Sequence, residues 1–396
     1  MNKQQEPHLR FKGFTGEWKN KTLGDLGRVE MCRRIFKEQT QPSGEIPFFK
    51  IGTFGQEPDA FISSELFEEY RQKYPYPKKG DILISAAGTI GRTVEFSGEN
   101  AYFQDSNIVW LRFDESQITS TFLNITYQNI KWGLEGSTIK RLYNSDLLSA
   151  EITLPSFPEQ THLGLFFRRL DSQIAESRAV LEKSRQLKKA MLVKMFPANG
   201  EKIPKIRFKG FEGEWECRKL GEVASSYSGG TPSVGNSKFY GGNIPFIRSG
   251  EIHSSKTELF LTQEGLENSS AKLVKQGDIL YALYGATSGE VERSKINGAI
   301  NQAILAIIPN ENYDAEFISQ WLKNNKENIV NLYLQGGQGN LSGEIVKKIE
   351  ISFPTKKEQN AIGLFFRQLD ETIALQSAEI EKLNRLKKGL LAAMLM

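Results

Sequence analysis

From Glu159 to Met195 the chain contains no proline and one glycine, Gly164. Apolar side chains fall at Leu163, Phe167, Leu170, Ile174, Leu181, Leu187, Met191 and Met195, and charged residues fill most of the remainder. A second stretch repeats the pattern at Ile362, Phe366, Leu369, Ile373, Ile380, Leu386, Leu390 and Met394. Intervals of three, four and seven make a narrow stripe on a helix, the mark of a coiled-coil seam. The seam is expected to use Leu170, Ile174, Leu181, Leu187 and Met191 against Leu369, Ile373, Ile380, Leu386 and Leu390. At ~1.5 Å per residue, 37 residues make a rod of roughly 55 Å. The plainer alternative is that each helix packs only on its own domain.

Elsewhere the pattern shortens. DILIS (81–85), NIVWLRF (107–113), DILYALY and AILAIIP are compact apolar runs rich in β-branched residues and read as buried strands. One helix per half is expected, over TSTFLNITYQNIKWG before Gly133 and AEFISQWLKNNKENIVNLYLQ before Gly336. The fold class is therefore α+β, with mixed or antiparallel sheet in two similar heads and two long helices forming an antiparallel coiled coil.

The halves also match in detail. RFKGFTGEW (10–18) returns as RFKGFEGEW (207–215), EIPFFKIG (45–52) as NIPFIRSG (243–250), and the GDIL of 80–83 at 277–280. LPSFPEQ (154–160) corresponds to SFPTKKEQ (352–359), and 16 of 29 positions agree between 164–192 and 363–391. The near-constant offset marks a tandem duplication. It divides the chain into a first head (1–153), a first helical region (154–197), a linker (198–206), a second head (207–350) and a second helical region (351–396). The stretch PANGEKIPK (197–205) spans at most ~30 Å. The second head must then begin near the end of the first helix, which orients the helices antiparallel with a pseudo-two-fold relation and heads at opposite ends.

Composition narrows the class. Hydrophobic residues at 39% and charged residues at 25% suit a globular protein, and no apolar run approaches the ~18 residues of a membrane span. The N-terminus lacks a signal-peptide core, so a cytoplasmic location is expected. Two distant cysteines and three unclustered histidines offer neither a disulfide frame nor a metal site. A net charge of +4 neither demands nor excludes a nucleic-acid partner.

Motifs for catalysis are missing. No Asn/Asp-Pro-Pro-Tyr/Phe segment occurs, as adenine methylation requires; YPYP (74–77) is only superficially similar. The nearest run to a phosphate-cradling loop, 230–237, has Asn236 where lysine is needed. Pro58-Asp59 lacks the acidic-x-Lys element of many Mg²⁺ nucleases.

The paired RFKGF-x-GEW entries, SGGTPS (228–233) followed by GGNIPF (241–246), the GDIL turns and the EQ openings of both long helices resemble the specificity subunit of type I restriction-modification enzymes. The resemblance covers the whole chain, although the first head has EMCRRIF where the second has SGGTPS. It implies two target-recognition domains reading a bipartite, asymmetric duplex DNA site with an unread gap. It also implies recruitment of two adenine-methyltransferase (modification) subunits and two motor-nuclease (restriction) subunits. This chain would be non-catalytic and hold no cofactor or metal; S-adenosylmethionine, ATP and Mg²⁺ would sit on the partners. A different class is a non-DNA scaffold whose coiled coil spaces two protein-binding heads; a third, a self-sufficient methyltransferase-nuclease, is opposed by the absent motifs.

Reading of bases calls for polar side chains on loops. Lys50 and Arg248 follow the two IPF strands, with ordinary surface charge as the alternative. Thr89 and Arg92 lie in AAGTIGRT, and Tyr284, Thr287 and Ser288 in LYGATSGE; simple turns are the alternative. Ser137, Thr138, Lys140 and Arg141, with Gln335, Gln338 and Asn340, follow the expected helices, where glycine could equally serve as a cap. Ser228, Thr231 and Ser233 add a group in the second head. Lys188-Lys189 and Lys387-Lys388 complement helix C-termini or contact phosphate, and Asp171 and Asp370 are candidates for partner contact.

Overall fold

The computed structural model describes residues 6–130, 132, 141–198, 200–334 and 340–395. The chain divides into two compact units, Met1–Arg178 with Ala378–Met396, and Ala179–Ser377. Both units are built to one plan.

In the first unit a four-stranded antiparallel sheet runs in the order Gly27–Glu30, Ile108–Phe113, Ile82–Ser85, Thr93–Glu95. The second unit repeats it as Ala224–Ser228, Ile304–Pro309, Ile279–Ala282, Val291–Arg293. The two inner strands are the continuous apolar runs, buried on both faces. A second small sheet in each unit contains one parallel pair, Ile46–Phe49 with Tyr102–Phe103 and Tyr240–Ile247 with Gly298–Ile300. Mixed α+β architecture is thus present in both units.

A two-stranded ribbon closes each unit. Lys19–Thr22 pairs with Glu151–Leu154, and Glu216–Lys219 with Glu350–Phe353. The RFKGF entry thereby lies beside the start of a long helix. Arg10 donates from Nε and Nη2 to the Glu159 carboxylate at 2.7 and 2.8 Å, and Arg207 grips Glu358 the same way at 2.7 Å from both nitrogens. Both carboxylates are buried. The hydrogen bond to Glu159 holds the Arg10 guanidinium above its ordinary value, against burial; Glu358 does the same for Arg207. Gln160 and Gln359 accept from the backbone N–H of Thr119 and Asp314, which start the neighbouring helices. Trp18 and Trp215 complete the two cores.

The long helices are Phe157–Met195 and Lys356–Met394, 39 residues each. In the first unit Lys387 pairs with Asp171 at 2.5 Å, while Leu163, Phe167, Leu170 and Ile174 share a core with Met394 and Leu395. In the second, Lys188 pairs with Asp370 at 2.5 Å, and Phe196 stacks on Phe366 with ring centroids 6.0 Å apart. Advancing from 188 to 196 on one helix moves back from 370 to 366 on the other, so the pairing is antiparallel. Both lysines and both aspartates are therefore engaged with each other.

That ion pair corrects the seam. Leu170, Ile174, Leu181 and Ile380 are buried, and Met191, Leu369, Ile373 and Leu390 half-buried, but Leu187 and Leu386 are 47% and 51% exposed. The seam position one heptad after Leu181 and Ile380 is Lys188 and Lys387, not the leucine before it. A six-residue step turns the helix by roughly 240°, away from the partner.

Two further differences concern helices. The segment expected as one helix before Gly336 forms Ala315–Asn324 and Lys326–Leu334. The break falls at Asn325, whose backbone leaves the helical region (φ −99°, ψ 9°) and whose N–H is shared between the Trp321 and Lys323 carbonyls, while its side-chain amide also donates to the Trp321 carbonyl at 2.9 Å. Ser64–Lys73 is a helix the apolar spacing did not announce; Ser63 caps it by accepting from the Leu66 N–H. Ser120–Asn129 forms as expected.

Candidate nucleic-acid interface

One end of the inner strands of each four-stranded sheet brings together described parts of the loops singled out by sequence. In the first unit the turn Asp105–Asn107 is the meeting point. The Ala86 N–H donates to the Asn107 carbonyl, and the Leu142 N–H to the Ala86 carbonyl, each at 2.8 Å. Ala87 bridges to Arg141, whose Nη2 donates to the Ser106 carbonyl at 3.3 Å. Ser106 has φ +53°, an unusual left-handed conformation for a residue other than glycine. The AAGTIGRT loop and Arg141 thus come together.

Arg92 is turned inward. Its N–H donates to Ser85 Oγ at 3.0 Å and its Nη2 to the Gly55 carbonyl at 3.2 Å, tying one loop to another. Thr89 is exposed in the same loop. Lys50 pairs with Asp59 at 2.8 Å and lines a cleft of about 540 Å³ together with Phe36, Lys37 and Gln104.

The second unit uses the same scheme. The Leu283 N–H donates to Ala303 and the Leu341 N–H to Leu283, at 2.8 and 3.1 Å. Asn340, exposed, immediately precedes that contact. Within LYGATSGE, Ser288 donates from Oγ to the Leu283 carbonyl at 3.2 Å, Thr287 is half-buried, and Tyr284 leans on the core. Ser228 ends its strand, Thr231 bonds the Gln302 side chain, and Ser233 is exposed. Arg248 is held by Glu251 at 3.0 Å and also by Glu258, and these hydrogen bonds push its pKa well up. Ser137, Thr138, Lys140, Gln335 and Gln338 lie outside the described residues.

A group absent from the sequence-based candidates stands beside the first unit's turn. In Cys32–Phe36, Cys32 is buried, with its thiol pushed up to about 12 by that burial, and Ile35 is half-buried. Arg33, Arg34 and Phe36 are exposed. The segment leaves strand Gly27–Glu30 just as SGGTPS leaves Ala224–Ser228, and those strands occupy matching places in the two sheets. The repeat offset already sets EMCRRIF against SGGTPS, but no residue type is shared, so no candidate could be carried across; the matching strand partners show that the two segments hold one place.

A model of the type I restriction modification DNA specificity domain matches residues 15–183 and again 212–385. The chain belongs to this family. A putative type I restriction enzyme specificity subunit of Haemophilus influenzae is 56% identical over 163 residues, 40% of this chain and 42% of that protein. The match thus spans less than half the length of that relative. A putative specificity subunit of Methanocaldococcus jannaschii is 23% identical over 96% of this chain and 93% of its own. The fold matches the crystal structure of a restriction-modification S subunit from M. genitalium, with TM-score 0.68, 16% identity and 99% of each chain covered. No helix among its described residues is long and apolar enough to cross a membrane.

Proposed function

We propose that this chain is the DNA-reading, non-catalytic subunit of a cytoplasmic type I restriction-modification complex, each unit reading one half of a bipartite site. One observation carries the reading: both units assemble the same loop cluster at the same end of the inner sheet strands, yet line it with different side chains. Equal frames with unlike linings suit two dissimilar half-sites, since base-edge contacts specify while the frame positions them. The gap between the half-sites would be unread and would depend on the long helices. S-adenosylmethionine would be bound by the modification subunits, and ATP and Mg²⁺ by the restriction subunits.

The helices suit a duplicated partner. Leu165 and Leu364, like Leu187 and Leu386, are exposed apolar side chains at one offset of 199 residues. Two copies of one surface fit two copies of one modification subunit. Mapping methylated adenines in cells with and without this gene tests the proposal. The expected result is one interrupted motif that vanishes with the gene; an unchanged methylation pattern refutes it.

A further inference from the structure

We infer that Arg33–Phe36 is the base-reading segment of the first unit, with Arg34 as its guanine-reading side chain. The inference rests on the DNA-reading function proposed above. Its starting point is topological: this segment holds the place that SGGTPS holds in the second unit. There Thr231 meets Gln302 in the turn before the inner strand. Here Arg34 meets Asp105 in the corresponding turn, donating from Nε at 2.8 Å.

The geometry of that contact suits readout. The Arg34 side chain is 60% exposed while Asp105 is 18% exposed, so the carboxylate is fixed and the guanidinium reaches outward. Asp105 takes only Nε; the two terminal nitrogens have no hydrogen-bond partner among the described residues. A guanidinium held from behind presents those two donors as a fork, matched to guanine O6 and N7 in the major groove. Asp105 is the positioning residue, in the way a buttressing shell fixes a binding group.

The neighbours fit the same ligand. Arg33 is anchored by its N–H to the Tyr102 hydroxyl at 3.0 Å and lies 5.3 Å from the Tyr74 ring centroid. Phe36, 53% exposed, borders both the 540 Å³ cleft and one of about 470 Å³ lined by Arg33, Arg34, Tyr74 and Asp105. An exposed aromatic between two clefts is placed to contact a thymine methyl or a base face. Buried Cys32 and half-buried Ile35 anchor the segment to the core, while Arg33, Arg34 and Phe36 face outward.

The test uses the full chain assembled with its modification subunit and a pool of random DNA duplexes, from which bound molecules are selected and sequenced. The unaltered complex should select two half-sites. Arg34→Ala and Arg34→Lys should each lose roughly 10- to 100-fold discrimination at one guanine of one half-site. The other half-site should stay as before, which shows that the variant is folded. If the unaltered complex selects no sequence, the proposed function falls and this inference with it. If it selects two half-sites and both variants select them with unchanged stringency, this inference alone is wrong. It is equally wrong if Arg34→Ala weakens binding uniformly while Arg34→Lys behaves like the unaltered chain, the signature of a phosphate contact.

Discussion

Removing Arg207 should destabilise the second unit severely, and the structure sets the scale. Glu358 has 0% of its side chain exposed and accepts two charge-assisted bonds at 2.7 Å from Arg207, itself 14% exposed. In Arg207→Ala the carboxylate stays buried with no counter-charge, a loss of about 3–5 kcal/mol. For a unit of roughly 200 residues each kcal/mol lowers Tm by about 2–4 °C, so a fall of roughly 6–20 °C is expected. The companion change Glu358→Gln should return part of it in the double variant. A neutral amide left short of partners costs only about 1–3 kcal/mol. Urea and thermal unfolding followed by circular dichroism would measure all four corners of the cycle. The reasoning fails if Arg207→Ala costs under about 1 kcal/mol, or if Glu358→Gln adds a further loss on top of it.

Four other outcomes follow from the same coordinates. A Cβ on Gly164 would sit 2.3 Å from Thr121 Oγ1 and 2.9 Å from its carbonyl carbon, whereas one on Gly389 meets nothing within 4 Å. Gly164→Ala should therefore lower stability by about 1–3 kcal/mol and Gly389→Ala raise it by up to about 1 kcal/mol, both read from denaturation midpoints. Leu181→Ala should cost about 2–3 kcal/mol and Leu187→Ala under about 0.5 kcal/mol; equal losses would restore Leu187 to the seam. Lys387→Asp should weaken the first unit by about 1 kcal/mol, and the added Asp171→Lys should recover most of it in a double-mutant cycle. Deleting seven residues from both long helices should shorten the unread gap in the methylated motif, and an unchanged motif would separate gap length from helix length.

How far the sequence could be read follows from what duplication preserves. The tandem copies act as an alignment of the chain with itself. Residues identical in both copies turn out to be frame: Arg10 and Arg207 on Glu159 and Glu358, Trp18 and Trp215 in the cores, Gly164 and Gly363 where a helix start presses on the long helix. These were legible because one packing problem was solved twice with one set of side chains. The seam was only partly legible. Leu187 and Leu386 belong to the apolar inventory, but a lysine took the seam position by finding an aspartate across the pair, a long-range contact that periodicity cannot register. The reading faces were least legible for the opposite reason. Segments 31–36 and 229–234 hold one place in the sheet, as the repeat offset and the strand pairing both indicate, but share no side chains, so the candidates of one half could not be carried to the other. In a duplicated reader, sameness between the halves therefore marks what holds the fold. The recognition chemistry should be sought where the frame matches and the residues diverge.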